Sequence, residues 1–175
     1  MRRAALPAVP DDPAEARKAA YATALRWLAG REMSAARIRE RLGVRGFTPD
    51  VIEDTLARLA GNGAVDDSRA ALSAARSLVA VRLRGRHRAS RELERLGFAK
   101  DVAAEALGTI LAEIDESAVA ARLVRSRLRG RKAIAEAAEY KRIFDALLRR
   151  GFSSDLIRAA LAPYWGHRGS DEDGQ

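Results

Sequence analysis

The sequence predicts an all-α protein made of tandem three-helix repeats, elongated rather than globular. Three observations carry that reading. Apolar residues recur every three or four positions, the breaks are centred on glycine, and one turn motif returns three times. Aromatic residues are 5% of the 175 residues and alanine is abundant. That mixture suits thinly packed helices and not a β-sandwich, which draws on Val, Ile, Thr and Tyr. With 47% hydrophobic and 32% charged residues, the chain has the means to bury a core.

From Ala14 to Trp165 the only prolines are Pro49 and Pro163. Stripes such as Ile38/Leu42, Val51/Ile52/Leu56/Leu59 and Ile143/Leu147 keep helical spacing, and no window alternates like a strand. Ser34, Thr48 before Pro49, Asp66 or Asp67, Asp115 and Ser153 stand where N-caps are needed. The spacing predicts nine helices, over about 13–30, 34–43, 49–62, 67–84, 87–96, 99–113, 116–129, 134–150 and 154–162.

The internal repeat organises these helices. Leu42-x-x-x-Gly46-Phe47-x-x-Asp50 returns as Leu93-x-x-x-Gly97-Phe98-x-x-Asp101 and as Leu147-x-x-x-Gly151-Phe152-x-x-Asp155. In each copy a helix is expected to end on a left-handed glycine, with the Phe packed under the turn and the Asp at the positive end of the next helix. Arg82-Leu83-Arg84-Gly85-Arg86 also recurs, as Arg127-Leu128-Arg129-Gly130-Arg131. The period is near fifty residues. It divides the chain into repeats over 13–63, 64–114 and 115–165, between a flexible N-terminal tail over 1–12 and a flexible acidic C-terminal tail over 166–175.

Composition excludes much chemistry. There is no cysteine, hence no disulfide, zinc–thiolate site, iron–sulfur cluster or thiol nucleophile. The two histidines, His87 and His167, do not form a helical metal pair or a triad. Walker-type, nucleophile-elbow and dinucleotide-binding motifs are lacking, and the paired carboxylates Asp11/Asp12, Asp66/Asp67 and Asp115/Glu116 sit at helix starts, where they offset the macrodipole. No catalytic residue, cofactor or metal is expected. Without a long apolar run or a signal-length stretch after Arg2 and Arg3, no membrane contact is expected either, and the location expected is cytoplasmic.

The formal charge of +8 is carried almost wholly by arginine. Its planar fork matches phosphates and carboxylates, so placement decides its meaning. Arg82, Arg84, Arg86, Arg88, Arg91 and Arg95 fall in fourteen residues against Glu92 and Glu94. Arg122, Arg125, Arg127, Arg129, Arg131 and Lys132 fall in eleven residues with no acid. Arg31, Arg37, Arg39, Arg41 and Arg45 make a weaker first copy, while the third helices carry Asp50, Glu53, Asp54, Asp101 and Glu105. Stacked repeats would line these turns into a basic ridge, with Arg82, Arg84, Arg86, Arg88, Arg91, Arg125, Arg127, Arg129, Arg131 and Lys132 as its binding residues. Each arginine alone also reads as a solvated cap of a helix end. A helix-turn-helix reader is disfavoured, since the acids of 49–62 would meet phosphate. A nonspecific DNA- or RNA-binding protein and a purely structural helical scaffold both remain open on these residues.

The Gly-Phe-x-x-Asp turns, Val65-Asp66-Asp67-Ser68-Arg69-Ala70, Gly85-x-x-Arg88-x-x-Arg91-Glu92-Leu93 and Leu148-Arg149-Arg150-Gly151-Phe152-Ser153-Ser154-Asp155-Leu156-Ile157-Arg158 together resemble the RecX family of bacterial recombination regulators, over about residues 20–163. The resemblance implies a curved, non-enzymatic array that binds the RecA recombinase–DNA filament and restrains its ATPase, strand-exchange and co-protease activities, hence homologous recombination and the SOS response. The implied partners are RecA and single- or double-stranded DNA bound without sequence preference, by a monomer. The sequence departs from the family at Ala70, where an aromatic usually follows, and at Ala99-Lys100, which gives the second turn no good cap.

Overall fold

A computed structural model describes residues 9–165. These residues form nine α-helices: α1 (Pro13–Leu28), α2 (Ala35–Val44), α3 (Pro49–Gly61), α4 (Asp67–Arg76), α5 (Arg86–Arg95), α6 (Lys100–Glu113), α7 (Glu116–Leu128), α8 (Ala137–Arg149) and α9 (Ser154–Leu161). A π-helical turn, Ser77–Val81, follows α4, and a 3-10 turn, Ala162–Tyr164, follows α9. Helices pack in consecutive threes: α1 lies on α3, α4 on α6 and α7 on α9, with α2, α5 and α8 each packed on the third helix of its own group.

Three cores result. The first is built on Ala20, Ala24, Ile38, Leu42 and Leu59, the second on Ala71, Val79, Leu93 and Ile110, and the third on Val124, Leu147, Ile157 and Leu161. The first helices of the first two units meet their cores mainly through alanine, at Ala16, Ala20 and Ala24 on α1 and Ala70, Ala71 and Ala75 on α4, whereas α7 uses Val119, Leu123, Val124 and Leu128. Within the stretch read as the N-terminal tail, Val9 packs against the first core and Asp12 caps α1 through its carboxylate to the Glu15 N–H. Residues 1–8 and the acidic stretch 166–175 lie outside the described residues.

The three Gly-Phe turns are one structure built three times. In the first, the Phe47 N–H donates to the Leu42 carbonyl and the Gly46 N–H to the Gly43 carbonyl. The pairs Phe98/Leu93 with Gly97/Glu94, and Phe152/Leu147 with Gly151/Leu148, repeat it. This is a Schellman cap, and it requires the left-handed glycine found at Gly46, Gly97 and Gly151, with φ of 91°, 88° and 92°. Phe47, Phe98 and Phe152 are buried beneath their turns.

Successive units dock by one recurring contact, in which the start of a second helix sits on the Gly-Phe turn of the next unit. At the first junction Ser34 Oγ accepts from the Arg37 N–H as N-cap and donates to the Leu96 carbonyl at 2.6 Å. Asp67 accepts from the Ala35 N–H at 2.8 Å, and Arg69 pairs with Glu32 at 2.5 Å. At the second, the Gly85 N–H donates to the Arg150 carbonyl and the His87 N–H to the Gly151 carbonyl. Both junctions place the turn glycine of one unit against the second-helix start of the unit before it.

Two element boundaries differ from the sequence expectation. The helix expected over 67–84 stops being α-helical at Arg76, because the π turn widens the helix so that adjacent Leu78 and Val79 are both buried while Val81 points outward. The chain then reverses at Leu83, with φ of 52°. The helix expected from 134 starts at Ala137, because the Ile134 N–H donates to the Tyr164 carbonyl at 2.8 Å and Ile134 makes an isolated parallel bridge with Trp165. That bridge ties the chain after α9 to the α7–α8 connection.

Candidate basic interface

The two arginine-rich turns, 45 residues apart in the chain, both place charge near one residue of the second junction, Arg150. Its guanidinium crosses from the third unit, and Nη1 donates to the Arg82 carbonyl at 3.1 Å. Burial, then the nearby charges of Arg84, Arg127 and Arg88, push the Arg150 pKa down; Arg84 and Arg88 belong to one cluster and Arg127 to the other. Arg150 was not among the expected ridge residues. Its signal was its place just before the third turn glycine, which also reads as an ordinary helix-end cation.

One acid balances this crowd. Glu92 has a side chain only 16% exposed, with Arg88 Nε 2.6 Å from Oε1, Arg84 Nε 3.3 Å from Oε1 and Arg82 Nη1 4.0 Å from Oε2. Burial alone would raise the Glu92 pKa. The hydrogen bond from Arg88 and the charges of Arg84, Arg88 and Arg82 together outweigh it and hold the carboxyl below its ordinary value. Arg82 and Arg84 would diverge on a helix, but they lie beyond the π turn, and the reversal at Leu83 brings both to the same carboxylate.

The ten expected ridge residues therefore divide by environment. Arg84 and Arg88 are partly buried structural groups; Arg88 Nη1 also donates to the Arg149 carbonyl across the junction at 2.9 Å. Arg131 is held by both carboxylate oxygens of Glu139 and by the Leu128 carbonyl. The hydrogen bond from Arg131 is the first cause of the lowered Glu139 pKa. Arg82 is exposed and only loosely tied to Glu92. Arg86, Arg91, Arg125, Arg127, Arg129 and Lys132 are exposed and make no ion pair among the described residues. Arg127, Arg129 and Arg142 line one groove of about 380 Å³ beside Arg131 and Glu139. Arg129, the C-cap of α7, has a left-handed conformation, φ 51°.

Most of the first unit's arginines are engaged within it, Arg31 being an exception that makes no ion pair among the described residues. Arg39 forks onto Glu53 at 2.6 and 2.9 Å, and Arg17 pairs with Asp54 at 2.6 Å, so two acids of α3 are already matched. Arg41 lies 4.1 Å over the Trp27 ring, and Arg58 3.9 Å over Tyr21. Free positive charge is thus concentrated on the second and third units. No group of three or more Asp, Glu or His among the described residues is placed to hold a metal ion, and no described helix is long and apolar enough to cross a membrane.

Comparison with known proteins agrees with this architecture. Residues 20–59 match the family model of the first three-helix domain of RecX, and residues 114–161 that of the third. The regulatory protein RecX of Halorhodospira halophila is 39% identical over 139 residues, covering 79% of this chain and 84% of that protein. That of Trichlorobacter lovleyi is 33% identical, covering 79% and 90%. That of Geobacillus thermodenitrificans is 33% identical over 89% of this chain, which spans 57% of that longer protein. The crystal structure of RecX from Lactobacillus salivarius superposes with a TM-score of 0.73 at 19% identity, over 85% of this chain and 96% of that one. A second crystal structure of regulatory protein RecX gives 0.69 at 22% identity, over 84% and 73%. With its three repeated turns, three cores and these matches, the chain belongs to the RecX family of regulatory proteins.

Proposed function

We propose that this protein regulates homologous recombination and the SOS response by binding the RecA–DNA filament through its basic ridge, inhibiting RecA ATPase, strand exchange and co-protease activity. The observation that carries the reading is the set of exposed cations Arg86, Arg91, Arg125, Arg127, Arg129 and Lys132, which make no ion pair among the described residues, with Arg127 of one cluster and Arg84 and Arg88 of the other all near Arg150. Unpaired arginines are strained by mutual repulsion and gain most from an external polyanion, whose bound counterions are released on contact. A nucleoprotein filament presents phosphates in a regular track, and a rigid multi-unit array presents its cations at fixed spacing. The protein acts without chemistry of its own, by occupying the filament as a monomer in the cytoplasm.

The test is co-sedimentation with RecA filaments on single-stranded DNA beside naked DNA, with RecA ATP turnover followed in parallel. Preferential binding to the filament with loss of turnover is expected. Equal affinity for naked DNA and no effect on turnover would replace this reading with that of a nonspecific nucleic-acid binder.

A further inference from the structure

The two junctions share a docking contact but differ in how they are filled. At the second, Gly85 and Gly151 touch, and Arg150 reaches over to the Arg82 and Leu83 carbonyls. In the repeat register the residue before the turn glycine is Arg45, Leu96 and Arg150 in turn. Leu96 has no donor with which to bridge, and it is left 39% exposed. Beside it the first junction keeps a cleft of about 480 Å³. Leu96 is the exposed apolar residue of this cleft, over the buried Leu78 and Phe98, and the π turn forms one wall at Ser77. Arg31, Arg37 and Arg95 stand around it. Arg31 and Arg95 make no ion pair among the described residues, and the one acid of the lining, Glu32, is already taken by Arg69. An exposed leucine within a cationic rim is complementary to an apolar side chain flanked by carboxylates. It is poorly suited to a nucleobase, because the Phe98 ring is only 6% exposed and offers no face for stacking.

We infer that this cleft docks an acidic segment of a partner protein, with a Leu or Phe side chain on the exposed Leu96 and its carboxylates on Arg31 and Arg95. This deepens the filament reading and rests on it: the first junction contacts protein, and the ridge at the second junction contacts phosphate. Arg82 lines the cleft and also belongs to the ridge, so the two surfaces adjoin.

The probes are a fluorescent twelve-residue peptide of Asp and Glu interspersed with Leu and Phe, and a fluorescent thirty-residue oligothymidylate. Wild type is expected to bind the peptide at least tenfold tighter than versions with Asn and Gln for the acids, or Gly for the apolar residues. The Arg31→Glu/Arg95→Glu variant should weaken the peptide at least tenfold and leave oligothymidylate affinity within twofold. Ser73→Trp, an exposed lining position, should block the cleft with the same selectivity and an unchanged melting temperature. Arg125→Glu/Arg127→Glu/Arg129→Glu should do the reverse, losing oligothymidylate and keeping peptide. The proposal is overturned if wild type does not discriminate among the peptides, if the ridge variant loses the peptide equally, or if Arg31→Glu/Arg95→Glu loses the oligothymidylate, which would make the cleft a nucleic-acid site. Failure of the filament reading shows separately, as a ridge variant that still inhibits RecA turnover.

Discussion

Gly85 and Gly151 lie backbone to backbone across the second junction: a Cβ placed on Gly85 would come within 2.5 Å of the Gly151 carbonyl and of the Phe152 nitrogen. A Cβ on Gly151 would in turn lie 2.9 Å from the Arg88 Cα. The turn glycine therefore has two duties. It adopts the left-handed conformation that ends the second helix, and it lets the preceding unit approach closely enough for backbone hydrogen bonds to form between units.

These duties separate experimentally. Gly46 has nearly the same positive φ as Gly151, but among the described residues a Cβ there would meet only the Val9 side chain, at 4.0 Å. Gly46→Ala should cost roughly 1–2 kcal/mol, the strain of a left-handed alanine. Gly151→Ala adds a collision with Arg88 and should cost roughly 3 kcal/mol or more. Urea unfolding of both variants checks this. Equal losses would mean that the second junction yields without cost.

Phe98→Ala is expected to destabilise by about 3–5 kcal/mol, through a lost ring and a residual cavity. The ring belongs to the second core and also borders the first junction, in the unit joined to both neighbours. Damage there should propagate further than at Phe47 or Phe152, which serve units with a single neighbour. The expected result is the lowest and broadest melting transition for Phe98→Ala; a transition no lower than those of both outer variants would contradict coupled units.

The fold was legible because each repeat states it locally. Leu-x-x-x-Gly-Phe specifies a Schellman cap from six residues, and the caps Ser34, Asp66, Asp115 and Ser153 each accept a hydrogen bond from an N–H two or three residues on. Thr48 occupies an N-cap without a side-chain hydrogen bond, and Pro49 at the first helical position suffices. The π turn was hidden, because Ser77–Val81 continues a helical apolar pattern and only the packing of Leu78 and Val79 widens it. At the basic interface the clusters were visible in the sequence, but the division of labour within them was not. Arg88 stands four residues before Glu92 on one helix, a pairing that the spacing allows, but Arg84 and Arg131 resemble their neighbours in composition and differ only in having Glu92 or Glu139 within reach after folding. The role of Arg150 depends on contact between residues 67 or more positions apart.

Glu92 gives the junction a defined pH dependence. Its folded pKa lies below the ordinary value of 4.5. A depressed carboxyl contributes stability that is fully present above the unfolded pKa and is lost as pH falls through the folded one. Glu92→Gln should cost roughly 1–3 kcal/mol at neutral pH, because the arginines around it lose their counter-charge. The gap between the urea midpoints of wild type and variant should then begin to narrow as pH falls below about 4.5, where the unfolded carboxyl takes up its proton, and keep narrowing as pH falls through the lower folded value. A gap of the same size at pH 7 and pH 3 would show that the pair contributes packing and not charge.

The ridge is best tested at residues whose charge the fold does not use. Arg131 is unsuitable, since its reversal would set two acids against each other at Glu139. Arg125, Arg127 and Arg129 are exposed and unpaired, two of them on the last turn of α7 and the third as its C-cap. Cations there stabilise a helix end by only about 0.3–1 kcal/mol each, so Arg125→Glu/Arg127→Glu/Arg129→Glu should keep the helical circular dichroism spectrum and most of the melting temperature. Loss of three phosphate contacts should lower the salt slope of binding to single-stranded DNA by about 2, at roughly 0.7 per phosphate. Inhibition of RecA turnover should fall with it. Reversal of Asp50, Glu53 and Asp54 to Lys places like charges beside Arg39 and Arg17, so it should lower the melting temperature of the first unit while sparing inhibition at temperatures where the variant is folded. Titrating ATP turnover with each variant at two salt concentrations distinguishes the faces. Full inhibition by the triple Glu variant would make the ridge a solvated surface and move the filament contact to another face of the array.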